Sequence, residues 1–285
     1  MQRLLRRNVH AVAKAGFGWD SAKLYDSTRP SYSLEAVERV AFIIKQKGVL
    51  VEVGAGTGKF TRSILPALTT HSKSGIRYIA SDPSEGFRLI LEQETTSPAG
   101  VSLSVVEGTG EHIPIKEDHS ADAVLVAQAF HWFANEAALR EAHRVLKRGS
   151  PIVLVWNVLD MNIPWINDLE TKVVGPYYAQ PLGKPDIPRY LTMQWRAAFD
   201  SPQSRSWFGP LQTWHGGHQR LKVTRQQIVD RVQSISVIQQ LDAAGQQRAA
   251  DDVLELLATH PNTRLVRDGE YELVYKTEVT FAESL

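Results

Sequence analysis

Cysteine is absent from the 285 residues. That excludes disulfides, a thiolate nucleophile and any cysteine-ligated zinc or iron–sulfur site. Net charge is nearly absent as well: 32 Lys and Arg stand against 31 Asp and Glu. No global field therefore draws the chain to nucleic acid or to an anionic membrane. No apolar run approaches the ~20 residues needed to span a bilayer. What is present, 43% hydrophobic and 22% charged residues, is ordinary for a globular enzyme. The expectation is a cytoplasmic protein with neither nucleic acid nor membrane as partner, of open oligomeric state. The opening stretch carries Arg3, Arg6, Arg7 and Lys14 and no acid before Asp20. It reads as a surface helix, with a mitochondrial presequence as the alternative.

Strand-like and helix-like segments alternate through the first half. Gly48 to Val53, Ile76 to Ala80, Val101 to Val106, Ala123 to Ala127 and Ile152 to Trp156 are short apolar runs, the mark of strands buried on both faces. Helical patterns lie between them, at 59–68, 85–94 and 135–146. Such alternation predicts an α/β fold with a parallel sheet and right-handed crossovers. The pattern changes after Asn157. Residues 160–212 hold Pro164, Pro176, Pro181, Pro185, Pro188, Pro202 and Pro210 among bulky aromatics. They read as an inserted, mainly helical cap. Strand candidates at 213–223 and 271–281 flank a helical region at 225–259. The expected divisions are an N-terminal lid at 1–35, a cofactor-binding core at 36–157, the cap at 158–212, and a C-terminal part at 213–285 that completes the sheet.

Val51-Glu-Val-Gly-Ala-Gly-Thr-Gly58 lies where a strand becomes a helix. Glycines there permit positive φ and let a ligand approach the backbone. The amides of the next helix face whatever docks. Two phosphate-binding patterns fail at this loop. A dinucleotide fingerprint needs glycine where Lys59 stands, and a P-loop needs glycine at Val53 and a hydroxyl at Phe60. Asp82 ends the second strand, where a carboxylate can accept from both hydroxyls of a ribose. Its alternative role is the N-cap of the following helix.

These segments, with Tyr25-Asp-Ser-Thr-Arg-Pro-Ser-Tyr32, Gly108-Thr-Gly-Glu-His-Ile-Pro114, Asp122 to Trp132 and Arg144 to Gly149, make the chain similar to class I S-adenosylmethionine-dependent methyltransferases. It most resembles their small-molecule branch, of the yeast trans-aconitate methyltransferase type with its fungal relatives. The resemblance covers roughly residues 20–157. It implies a doubly wound, Rossmann-like sheet of seven mostly parallel strands, S-adenosyl-L-methionine as cofactor, and a setting such as fungal secondary metabolism. It also implies roles. Glu52, Gly54, Ala55, Gly56 and Gly58 would face the methionine and ribose portions. Asp82 would hold the ribose and Pro83 shape the turn beside the adenine. Thr109, Gly110 and Glu111 would line the adenine, Gly110 replacing the alanine of most relatives and loosening the loop. Tyr25 and Arg29 would fold over the cofactor, with Arg29 as partner for its carboxylate. Gln128 and His131 would end the fourth strand beside the reacting centre.

Methyl transfer from a sulfonium is an in-line displacement in which the protein supplies orientation and a dry site. A carboxylate acceptor needs no base, whereas a phenol, alcohol or amine would gain from one. His131 is the candidate base; its alternative is a packed histidine that moves no proton. The substrate is expected to be a small organic molecule, O-methylated on a carboxylate or hydroxyl. The candidates to contact it are Trp19, Tyr32, Trp132, Trp156, His215 and His218. His215 and His218 tempt a metal assignment, but no further ligand is identifiable, so none is expected. The cap aromatics suit an apolar pocket or a cap core, and Arg189, Arg196 or Arg205 a substrate carboxylate. The rival function keeps the cofactor but uses it electrostatically in a cyclisation or rearrangement without net methyl transfer. A partner-binding protein with a relict pocket is a third reading.

Overall fold

The computed structural model describes residues 19–44, 48–69, 75–179, 187–263, 265–267 and 269–285, with 19–21, 179 and 265–267 described by backbone alone. The basic stretch before Trp19 lies outside them. Five strands run parallel: β1 (Val49–Val53), β2 (Ile76–Ser81), β3 (Val101–Val106), β4 (Ala123–Ala127) and β5 (Pro151–Leu159). β6 (Gln212–Thr224) and β8 (Glu270–Glu283) complete the order β3-β2-β1-β4-β5-β8-β6, with short β7 (Leu265–Arg267) beside β8. β8 is antiparallel to both its long neighbours. The strand order reverses between β1 and β4, the place where open α/β sheets leave a ligand crevice at their carboxyl edge.

Burial on both faces explains the near-continuous apolar strands. On one face, Leu50, Tyr78, Leu125 and Val153 meet α2 (Leu34–Ile43) and α3 (Lys59–Thr69) through Val37, Val40, Ile64 and Leu68. On the other, Val51, Val124, Leu154 and Trp156 meet Leu139 and Val145 of α5 (Glu136–Val145). The crossover helix α4 (Glu85–Glu94) begins at Ser84, whose hydroxyl accepts from the Phe87 N–H. Ser84 is thus the cap, which frees Asp82 from that role. The helix α1 (Trp19–Thr28) rests on α4 through Ala22, Phe87 and Ile90.

The cap draws on two stretches of chain. α6 (Pro164–Asp168), a π-helical turn at Leu169–Val174 and α7 (Gly175–Ala179) come from the first. α9 (Arg225–Gln233), α10 (Ser236–Gln239) and α11 (Ala243–Thr259) come from the second, after the short α8 (Pro202–Trp207). One apolar cluster joins Trp165, Leu169 and Val173 to Ile228, Val232 and Val253 over the Tyr271–Tyr275 end of β8. That end of β8 runs beyond the last residue paired with β5, at Tyr275, and so carries the cap above the sheet's carboxyl edge. Trp195 and Phe208 pack instead into the lower core with Trp156.

Candidate functional site

The carboxyl ends of β1, β2 and β4, with α1 and the cap above, enclose a cavity of about 720 Å³. Its floor is the glycine loop. Gly54, Gly56 and Gly58 all have positive φ, at 69°, 58° and 84°. The Ser81 carbonyl accepts from the N–H groups of Gly54 (2.8 Å) and Ala55 (3.0 Å), which ties the loop to β2. A Cβ at Gly54 would stand 2.7 Å from the Ala129 methyl, and one at Gly58 2.7 Å from Leu91. Those glycines are compelled by their neighbours. At Gly56 a Cβ would meet nothing within 4 Å, so its bare face opens on the cavity.

Asp82 is buried beside this loop. Its carboxylate accepts from the Gly56 N–H at 2.9 Å and the Ser84 N–H at 2.8 Å. Burial raises it from 3.8 to about 6, with both amide bonds and the Arg88 charge acting the other way. Glu52, fully buried, accepts on Oε2 from Thr61 Oγ1 (2.6 Å) and Tyr78 Oη (2.7 Å). Burial pushes it from 4.5 up to about 7 despite those two bonds. Its Oε1 has no partner. Glu111 takes the Asn135 amide on Oε1 at 2.9 Å and leaves Oε2 buried and unpartnered. Arg29 faces the Tyr25 ring at 5.4 Å, with Nε buried and likewise unpartnered.

α1 is fastened over the loop by a residue that sequence reasoning missed. Asp26 accepts from Thr57 Oγ1 at 2.6 Å and from Arg62 at 2.7 Å, while Arg62 also donates to the Thr57 carbonyl. Its signal was present in the Tyr25-to-Tyr32 motif, one residue from Tyr25.

Most expected contacts converge on the cavity: Tyr25, Arg29, Tyr32, Glu52, Gly54, Ala55, Gly56, Asp82, Pro83, Thr109, Gly110, Glu111, Gln128, His131 and Trp132 all line it. Gln128 adopts a positive φ of 59° where β4 ends and donates its amide to the Asn157 carbonyl. His131 sits in a 3₁₀ turn, Phe130–Trp132, half-buried, with Nδ1 unpartnered. Burial alone depresses it from 6.5 to about 3.

Others fall elsewhere. Gly58 shapes the loop turn from outside the cavity. Trp156 points to the opposite core, fully buried against Trp195 at 4.5 Å between ring centres. The alternation of side chains along β5 sends it there. His215 and His218 are exposed on β6, away from the cavity. The Gly-Gly pair between them is a bulge in the β6–β8 ladder. Gly217, at φ 62°, donates to Glu35 at 2.9 Å, and a Cβ there would strike Ser33 Oγ at 2.4 Å. That motif lets α2 approach the strand. Trp19 begins α1, but its side chain lies outside the described residues. Gly110 does not loosen its loop: a Cβ would stand 2.2 Å from the Phe133 ring, so the aromatic occupies the methyl's place.

The cap wall adds Glu170 and Arg231, which carry no readable sequence signal, beside Tyr178 and Tyr190 from the cap aromatics. Of the three arginines considered for a substrate carboxylate, Arg189 lines the cavity, stacked on Tyr178 at 4.0 Å. Arg196 and Arg205 instead approach Glu278 and Asp200.

A methyltransferase domain family matches residues 51–154. An uncharacterized methyltransferase-like protein of Schizosaccharomyces pombe is 30% identical over 258 residues, 89% of this chain and 90% of its own. An uncharacterized methyltransferase of Mycobacterium tuberculosis is 31% identical over 83% of this chain and 84% of its own. Among solved structures, a protein of Anaeromyxobacter dehalogenans assigned as a type II methyltransferase shares the fold, with a TM-score of 0.58 at 15% identity. That alignment covers 90% of this chain and 97% of the other.

Proposed function

Because the chain belongs to the S-adenosylmethionine-dependent methyltransferase family, we propose that it O-methylates a small organic acid or alcohol, as the resemblance to the trans-aconitate methyltransferase branch implies. The cavity's polar groups fit the cofactor. Asp82, whose two oxygens each take one backbone amide and keep a lone pair, and the free Glu111 Oε2 and Glu52 Oε1 are acceptors, suited to ribose hydroxyls, an exocyclic amine and an ammonium. Arg29 is a donor, suited to the carboxylate. S-adenosylmethionine, when bound, supplies an electrophilic methyl group on a sulfonium. Glu111 would hold the adenine, Asp82 the ribose, and Arg29 the carboxylate, with Tyr25 and Asp26 closing α1 over them. Trp132, Tyr32 and the cap would exclude water and orient the acceptor.

The observation that carries the reading is this convergence of orphaned, buried polar atoms in one cavity that continues beneath the cap. His131 bears on the acceptor. A histidine at about 3 is neutral at pH 7 but holds an abstracted proton poorly. That favours an acceptor already ionised, hence a carboxylate, with His131 as a hydrogen-bonding wall. The test incubates the protein with methyl-labelled cofactor and a panel of carboxylic acids and phenols. The expected result is a labelled methyl ester formed with equimolar S-adenosylhomocysteine. An isomerised product without S-adenosylhomocysteine would refute methyl transfer.

A further inference from the structure

Arg231 is an anomaly of the cap. It is 6% exposed, yet it sits on a helix that the sequence presents as an ordinary surface element. Its Nε donates to Tyr275 Oη at 2.7 Å and its Nη2 to Glu170 Oε1 at 3.0 Å. The third arm of the fork, Nη1, is buried without a partner. Arg231, Glu170 and Tyr275 all border the cavity that also holds the glycine loop. A buried guanidinium with an idle donor is costly unless something supplies an acceptor.

The surroundings identify the charge of that acceptor. Arg189 lies over the Tyr178 ring at 4.0 Å, and Arg231, Glu170 and Arg29 line the same cavity, where Glu170 already pairs with Arg231. If Arg29 serves the cofactor, a positive surplus still remains at the cap end. A neutral or cationic ligand would leave it unbalanced. The apolar lining from Met161, Val174 and Leu191 adds room for a hydrocarbon or aromatic body.

We propose that Arg231, supported by Arg189, holds a carboxylate of the substrate in the cap end of the cavity. The proposal rests on the methyltransferase reading and narrows its substrate to an acid with an apolar body. Glu170 and Tyr275 fix the guanidinium fork so that Nη1 is presented to the ligand. A carboxylate drawn onto a guanidinium is a weakened nucleophile, so this group is a handle and a second carboxylate of the substrate takes the methyl.

The experiment measures binding by calorimetry to protein saturated with S-adenosylhomocysteine. The probes are benzoate, 4-hydroxycinnamate and decanoate, each beside its primary amide. Wild type is expected to bind at least one acid, with its amide at least about tenfold weaker. Arg231→Gln alone would strand Glu170, so the informative variant is Arg231→Gln with Glu170→Gln. It should weaken acid binding by about 10- to 100-fold and leave S-adenosylhomocysteine affinity unchanged. Glu170→Gln alone should keep or tighten acid binding, which a purely structural pair would not do. The proposal is overturned if amides match acids, if the double variant binds acids like wild type, or if its loss is in cofactor affinity instead. It is equally overturned if no acid binds to the cofactor-loaded protein, an outcome that leaves the methyltransferase reading standing. Failure of S-adenosylhomocysteine itself to bind wild type would overturn both.

Discussion

Tyr78 on β2 donates a 2.7 Å hydrogen bond to the buried carboxyl of Glu52 on β1, and that carboxyl still lies near 7. Desolvation therefore outweighs two hydrogen bonds. Because the folded value lies above the ordinary 4.5, the folded state binds the proton more tightly than the unfolded chain. The stabilising contribution is fully present below about 4.5 and is lost as pH rises through about 7. Its size is on the order of 3 kcal/mol. Glu52→Gln should flatten this part of the stability–pH curve in the ligand-free protein, as thermal melts between pH 5 and 8 would show. A variant whose pH dependence matches wild type would refute the assignment.

Asp82 anchors the Gly56 and Ser84 amides while raised to about 6. Its ionised form is the better acceptor, so S-adenosylmethionine affinity should climb as pH rises from about 5.5 to 7.5, with protons released on binding. Calorimetry in buffers of different ionisation enthalpy reads that release. Asp82→Asn should cost about 10- to 100-fold in affinity at pH 7.5, since an amide nitrogen cannot accept from a ribose hydroxyl.

Gly110→Ala would drive a methyl to 2.2 Å from the Phe133 ring. Overpacking of this kind costs about 1–3 kcal/mol. Phe133→Leu alone should cost stability by opening space, and the double variant should recover part of both losses. Denaturant unfolding of the four proteins in this cycle checks the coupling; strict additivity would count against it.

His131→Gln keeps a polar side chain at a position whose proton affinity is already low. With a carboxylate acceptor, turnover should fall by no more than about tenfold. The pH–rate profile should show no inflection near 6.5 attributable to this histidine. An inflection in wild type that vanishes in the variant would restore His131 as the base.

His215 and His218 lie on the exposed part of β6. Replacing both with alanine should leave cofactor affinity and turnover within about twofold, the usual range for exposed positions. Gly217→Ala, by contrast, meets Ser33 and strains a positive φ. It should lower the melting temperature without entering the reaction.

The cofactor half of the site was legible because it is local. The glycine loop, Asp82 and the Thr109–Glu111 turn each sit at a strand end, and βα alternation brings strand ends to one sheet edge. Asp26 was missed beside Tyr25 because its partners, Thr57 and Arg62, lie on the other side of α2 in the sequence. Trp156, His215 and His218 were misplaced for a related reason. Composition marks an aromatic or a histidine, but only strand register fixes which face it takes.

The sequence by itself determined the family, the cofactor and the βα alternation of the first half, since each rests on local patterns, the alternation on runs that repeat with the backbone's own period. The tertiary structure alone decided the substrate end. There Glu170, Arg231 and Tyr275 come from three separated elements and meet only when the cap folds over β8. Only burial, a property of the packed chain, turns an unremarked helical arginine into a guanidinium with one donor left to offer.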